Sequence, residues 1–440
     1  MHLVWKELRL TLALALPMIV VQVSQMLIGI SDNAFIGRVG TVPLAAAAFT
    51  HSLFGLFYLV GIGLLLPVAI LTVRDHGAGN EAGCAGWLRH GKGLALVVGL
   101  VAFMLLGALS TQLHRFGQPV EVVAVMRPFF LLIAASLLPV LYFQVQRQYL
   151  DALGRPWVGT SIMLVDIGLN ALLNWIFIWG HCGAPALGLT GSGLATLLAR
   201  TLAVGLIGFW LRRPRSAKTP LPPRWERRCF REMLAIGVPA AGCLLFEAAA
   251  FGTAALMMGW LGATALAAHQ IALSCAALTF MCPLGLSMAA GIRISRALGE
   301  QRTELLRPIG FGALGFSSAI MLVFATVFMT GGTLLARGFT ADAAVIALTA
   351  QLLTVAALFQ LFDGGQVVAS GALRGLTDVK VPTVITFVAY WLVSLPVAYL
   401  LAFRLGFGPV GIWIGLACGL FCAAVLLNWR FHRKTAPRSL

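Results

Sequence analysis

Apolar residues run along this chain in repeated stretches of about twenty, separated by short polar or glycine-containing joints. Helix rises about 1.5 Å per residue, so stretches of that length match the hydrocarbon core of a bilayer. Hydrocarbon offers backbone N–H and C=O groups no partners, which makes each stretch a helix. Twelve helices are predicted, near 10–34, 45–73, 90–111, 127–149, 157–180, 187–211, 233–257, 264–292, 307–331, 343–370, 381–403 and 409–430. An even number of spans places both termini on one side of the membrane.

The pattern repeats. At a shift of 222 residues Pro17 falls on Pro239, Gly37 on Gly259 and Gly40 on Gly262. Leu44-Ala45-Ala46 then matches Leu266-Ala267-Ala268, Arg74 and Gly77 match Arg296 and Gly299, and Gln144-Val145 matches Gln366-Val367. Proline, arginine and glutamine in register carry more weight than matched leucine or alanine. The expected fold is therefore an all-α integral membrane protein of twelve transmembrane helices in two parallel six-helix repeats with a central inter-lobe cavity. The lobes are 1–211 and 233–440, joined by a basic linker over 212–232. Paired repeats of this kind are the architecture of transporters, which use them for alternating access.

Composition narrows the class. Apolar residues make up 60% of the chain and charged residues 10%, against about 25% charged in soluble domains. With a mean hydropathy of +0.92, a soluble enzyme, a nucleic-acid-binding protein and a disordered chain are excluded. The net charge of +16 reads as topology. The termini and the loops after even-numbered spans hold 25 of the 31 Lys and Arg, and the alternate loops hold Arg38, Arg115, Arg127, Arg337 and Arg404. Positive residues stay on the cytoplasmic side, so both termini are expected there. Lys6 and Arg9 precede an apolar run without a small-residue cleavage site, which reads as a retained first span. The linker RRPRSAKTPLPPRWERRCFRE carries eight basic residues and reads as a tether beside anionic lipid. The eight cysteines form no CxxC pairs and read as small hydrophobes rather than a disulfide or zinc framework.

Four acids fall inside apolar spans: Asp32, Asp166, Glu247 and Asp363. An ionised carboxylate in hydrocarbon costs at least ~2.5 kcal/mol, so it faces a cavity or a partner. No Lys or Arg sits at matching depth to pair with all four, and Arg200 can serve at most one of them. Neutralisation by H⁺, by Na⁺ or by an organic cation is the alternative, and competition between two such cations for one carboxylate is the core of an antiporter. Asp32, Glu247 and Asp363 are the candidate coupling and substrate carboxylates, with structural hydrogen bonding as the competing role. Asp166, Asn170 and Asn174 recur at i, i+4 and i+8 on one face of span five. That face suits a cation or proton site, and equally polar contact between helices. Pro17 and Pro239 are candidate helix bends, as are Pro67 and Pro283. Gly411, Gly415 and Gly419 predict a close helix contact along span twelve. Phe246, Phe280 and Phe362 offer either cation–π faces or packing, and His269 reads as a helix-contact residue. No HExxH or Walker signature is present, so no enzyme activity, cofactor or metal beyond Na⁺ is expected.

Three segments carry a resemblance over essentially the whole chain: LALALPMIVVQVSQMLIGISDNAFIGRVGTVPLAAAA, GWLGATALAAHQIALSCAALTFMCPLGLSMAAGIRISRALGE and QLFDGGQVVASGALRGLTDVKVP. They resemble the multidrug and toxic compound extrusion (MATE) transporters of the NorM-like bacterial branch. The resemblance implies efflux of cationic or amphipathic drugs in exchange for H⁺ or Na⁺ across a bacterial inner membrane. It implies that the family's acids of spans one, seven and ten fall on Asp32, Glu247 and Asp363. Asp166 with Asn170 resembles the first-lobe coupling-ion cluster of the DinF-like branch. The implied partners are small-molecule substrates and membrane lipid, without nucleic acid, and a monomer is expected. The rivals are a lipid-linked oligosaccharide flippase of the same superfamily, which should line its cavity with bases, an intramembrane lipid-modifying enzyme, and a channel.

Overall fold

The computed structural model describes residues 2–116, 119–212 and 225–436. Twelve helices among them are long and apolar enough to cross a membrane: Trp5–Gly37, Thr41–Gly77, Glu81–Ser110, Val125–Ala152, Pro156–Trp179, Gly188–Arg212, Arg227–Trp260, Ala263–Gly299, Thr303–Arg337, Ala343–Gly375, Lys380–Arg404 and Gly408–Lys434. They are referred to below as spans one to twelve. No strand occurs among the described residues.

Each span overlaps its expected position, and most are longer. Span three begins at Glu81, well before the apolar run, because the Asn80 side chain caps it by accepting the Gly83 N–H at 2.9 Å. Span seven begins at Arg227, so the last residues of the expected linker are helical, whereas residues 213–224 lie outside the described residues. Once nucleated, a helix keeps propagating past the last apolar residue where each added turn closes another backbone bond. Pro67 does interrupt span two, which runs as Thr41–Leu65 and Pro67–Gly77, while Pro17, Pro239 and Pro283 sit within continuous helices. The matched Gly40 and Gly262 precede spans two and eight with φ of 152° and 113°, backbone conformations that glycine adopts without a Cβ penalty. The repeat is thus visible in the turns as well as in the sequence.

The chain packs as two compact units, one comprising Val20–Ala241 and the other Met1–Ile19 with Gly242–Leu440. The junctions at Ile19 and Ala241 are themselves 222 residues apart, each two residues past a matched proline. Within the first unit an apolar cluster of Val21, Phe143, Leu150, Met163 and Ile207 surrounds spans four to six. The core of the second gathers Met258, Phe359, Tyr390 and Trp413. Many large apolar side chains remain outward, Leu256 and Leu334 among them at 65% and 76% exposure. Such a surface suits lipid and not water.

Glycine sets a close contact between spans eleven and twelve. A Cβ on Gly411, Gly415 or Gly419 would run into the backbone of Leu401–Ala402, into Ala398, or into Ser394 of span eleven, as the glycine pattern predicted. Span eleven itself is irregular, with π-helical turns at Val388–Ser394 and Leu400–Arg404. Three of the eight cysteines, Cys84, Cys243 and Cys275, are buried, and all eight are free.

Candidate functional site

In the unit Val20–Ala241, span five presents Asp166, Asn170 and Asn174 from one face, and all three are buried. Pro156 in the first turn and a left-handed Gly180 after the last fix where this helix starts and stops. The Asn174 amide nitrogen donates to Asp32 Oδ1 at 2.8 Å and to Asn170 Oδ1 at 3.1 Å, and Asn170 donates to Thr196 Oγ1 of span six at 3.3 Å. One turn beyond Thr196, Arg200 donates to Ser136 Oγ at 2.6 Å and its guanidinium stands 4.8 Å over the Phe54 ring.

Asp32, Asp166, Asn170, Thr196 and Arg200 line a cavity of about 240 Å³, together with Gln25, Tyr58 and Gln144. Asp166 Oδ1 and Asn174 Oδ1 are buried without a hydrogen-bond partner. Arg200 attracts both carboxylates across the cavity but forms no ion pair with either. The unpaired Asp166 oxygen in the cavity wall, with the Asn174 amide bonded to Asp32 and Asn170, makes a donor set suited to a proton or a small hard cation.

In the unit containing Gly242–Leu440, Glu247 of span seven accepts from Gln366 Nε2 at 3.0 Å and from the Tyr390 hydroxyl at 3.1 Å. Asp363, 5% exposed, lies close enough for Glu247 to repel it when both are ionised. Cys243, one turn before Glu247, is 3.2 Å from Thr386 Oγ1. None of the ion pairs among the described residues involves Asp32, Asp166, Glu247 or Asp363.

The sequence-selected acids therefore fall into two clusters, Asp32 with Asp166, Asn170 and Asn174, and Glu247 with Asp363. His269 is buried and accepts from Trp413 Nε1 at 3.2 Å, a helix contact as expected. Phe246 and Phe362 pack on Phe387 and Phe421. Sequence reasoning missed Tyr390, Gln366 and Thr196. The repeat held a signal for Gln366, since its match Gln144 lines the first cavity. Tyr390 lies in a π-helical turn that no hydropathy pattern marks. Asp151 and Glu7, assigned to a loop and a terminus, are instead 2% and 5% exposed. Each has an arginine within ion-pair distance, which offsets part of the penalty that the apolar pattern assumes.

A bundle of twelve membrane-crossing helices, built from two repeats and carrying carboxylates inside its spans, defines a polytopic membrane transporter. The profile of the MatE family matches this chain twice, over residues 17–176 and 239–400, in step with the internal repeat. Two relatives are described as probable multidrug resistance protein NorM. The one from Mesorhizobium japonicum is 36% identical over 98% of this chain and 95% of its own length. The one from Bradyrhizobium diazoefficiens is 38% identical over 96% and 92%. A solved structure described as MATE in the bent conformation superposes with a TM-score of 0.91 at 20% identity, covering 99% of this chain and 97% of that one. The chain belongs to the MatE family. It is a multi-pass membrane transporter and not an enzyme.

Proposed function

We infer that this protein exports cationic or amphipathic drugs in exchange for H⁺ or Na⁺ across a bacterial inner membrane, with both termini cytoplasmic. The observation that carries the reading is the cavity holding Asp32 and Asp166, whose charges have no ion-pair partner and beside which Asp166 Oδ1 and Asn174 Oδ1 stand unbonded. An arriving H⁺ or Na⁺ finds its ligands there in Asp32, Asp166, Asn170 and Asn174. Glu247 and Asp363 supply the attraction for a cationic substrate. The repeats 1–211 and 233–440 act as the two lobes of an alternating-access cycle, with helices one and seven bending at Pro17 and Pro239. Returning one charge down about 100 mV supplies roughly 2.3 kcal/mol, which sustains a drug gradient of about fifty-fold.

Ethidium efflux from proteoliposomes, with a pH gradient and a Na⁺ gradient imposed separately, tests this. Efflux under one gradient and its loss in Asp32→Asn and Asp166→Asn support the reading. Silence under both gradients overturns it and favours a flippase.

A further inference from the structure

The end of span four reads QVQRQYLDA over 144–152, and it does not suit an apolar helix end. Gln144, Gln146, Arg147, Gln148 and Asp151 are all buried, none more than 5% exposed. Gln144, Arg147, Gln148 and Asp151 follow at helical spacing along one face. Arg147 Nε donates to Gln144 Oε1 at 3.2 Å, and its Nη1 stands 3.7 Å from Asp151 Oδ2. Five polar atoms in this stretch have no hydrogen-bond partner: Gln146 Oε1, Arg147 Nη2, both amide atoms of Gln148, and Asp151 Oδ2.

The run has two ends. Gln144 lines the cavity that holds Asp32 and Asp166. Asp151 lies one residue before the end of the helix, and Gly154 and Arg155 just beyond are exposed. Packing around the run is tight, since a Cβ on Gly159 would come within 2.7 Å of Arg147 Cγ. The five orphaned atoms are donors and acceptors of the kind that single bridging waters satisfy, and the close packing leaves no room for a hydrated metal ion.

The internal repeat shows that the fold does not demand these residues. At the shift of 222, Gln146, Arg147, Gln148 and Asp151 fall on Val368, Ala369, Ser370 and Leu373, which are also buried. Span ten keeps a glutamine at the Gln144 position and has Arg374 in its last turn, bonded to Ser287, but builds the positions between with small and apolar side chains. The polar version occurs only in the repeat whose cavity carries the Asp and Asn cluster. Unsatisfied buried polar groups cost about 1–3 kcal/mol each, so a purely structural helix end would have no reason to hold five.

We propose that Gln144, Arg147, Gln148 and Asp151 form a hydrated polar ladder that conducts protons between the Asp32–Asp166 cavity and the loop after span four, with Asp151 as its terminal acceptor. The O–H bond of a cavity carboxylic acid breaks and the proton moves through ladder waters. A new O–H bond forms at the Asp151 carboxylate, which then passes the proton to water beside Gly154 and Arg155. The Arg147 guanidinium, 3.7 Å from Asp151 Oδ2, holds that side chain in place between transfers. The ladder rests on the antiport reading above and makes its coupling ion H⁺.

The test uses the full-length protein in liposomes with a trapped pH-sensitive dye and imposed pH or Na⁺ gradients. Wild-type protein is expected to couple ethidium efflux to proton movement. Asp151→Asn should slow both at least tenfold while leaving the equilibrium binding of ethidium in detergent unchanged, with a lower melting temperature because Arg147 loses its partner, and Asp151→Glu should restore both the rate and the melting temperature. Gln148→Leu, which removes two unsatisfied atoms and should fold at least as well, is expected to slow proton flux in the same way. Normal flux in Asp151→Asn and Gln148→Leu overturns the ladder and leaves antiport standing. Wild-type efflux driven by Na⁺ alone does the same. Loss of ethidium binding together with flux assigns the pair to structure and also overturns it. Absence of gradient-driven efflux in the wild type overturns the antiport reading itself.

Discussion

Glu7 and Arg293 lie 286 positions apart and meet as an ion pair in which the carboxylate is buried, with the same guanidinium donating to Thr11 Oγ1 at 2.9 Å. A second pair, Arg74 with Glu232 at 3.1 Å, ties span two to the start of span seven. The repeat relates the two. Shifted by 222, Arg74 falls on Arg296 and Glu232 on Leu10, and Arg293 and Glu7 each precede those positions by three residues, one helical turn.

The two clamps differ in burial, and their energies should differ with it. Arg293→Ala leaves the Glu7 carboxylate stranded in a buried site and is expected to destabilise by about 3–5 kcal/mol. In the second clamp both side chains are about one-third exposed, at 34% and 35%, so Arg74→Ala should cost under about 1 kcal/mol. Thermal unfolding of the two variants in detergent checks this, and equal losses would contradict it.

Tyr390 and Glu247 should be energetically coupled. The hydroxyl donates to a carboxylate whose other neutral donor among the described residues is Gln366. A double-mutant cycle with Tyr390→Phe and Glu247→Gln, read from unfolding midpoints, is expected to give a coupling of about 1.5–3 kcal/mol. A coupling near zero would mean that the phenol does not hold the carboxylate.

Gly415→Ala should destabilise by about 1–3 kcal/mol, because the added methyl overlaps the backbone of Ala398. Gly315→Ala places its methyl where no atom lies within 4 Å and should be neutral or mildly stabilising. Comparing yields and melting temperatures of the two separates packing from helix propensity.

His269 accepts the indole N–H of Trp413. His269→Phe strands that donor and is expected to cost about 1–3 kcal/mol, and His269→Gln, which keeps an acceptor, should recover most of the loss. Ethidium efflux of the Gln variant should match wild type, since the imidazole contacts neither carboxylate cluster. A Gln variant that is stable and does not transport would instead make His269 part of the cycle.

Hydropathy located all twelve spans because burial in lipid imposes its pattern on every turn of a helix. The same logic exposed Asp32, Asp166, Glu247 and Asp363, whose charge conflicts with their surroundings. It failed where a conflict is resolved locally. Asp151 sits beside Arg147 at a helix end, so a scale that sums residues one at a time assigns it to the loop and does not see its partner. Tyr390 and Gln366 read as tolerable within an apolar run, and only the fold shows that both point at Glu247. Span three escaped for a third reason, since its start depends on the Asn80 cap rather than on apolar content.

The glycine face of span twelve has a mechanical consequence. With Gly411, Gly415 and Gly419 seated against the backbone of span eleven, sliding one helix along the other would drive Cα atoms through side chains. Spans eleven and twelve must therefore travel as a single stiff beam through any cycle of the protein. The two π-helical turns sit in that beam, at Val388–Ser394 and Leu400–Arg404. Tyr390 rides on the first of them, so the hydroxyl that grips Glu247 is carried wherever the beam goes.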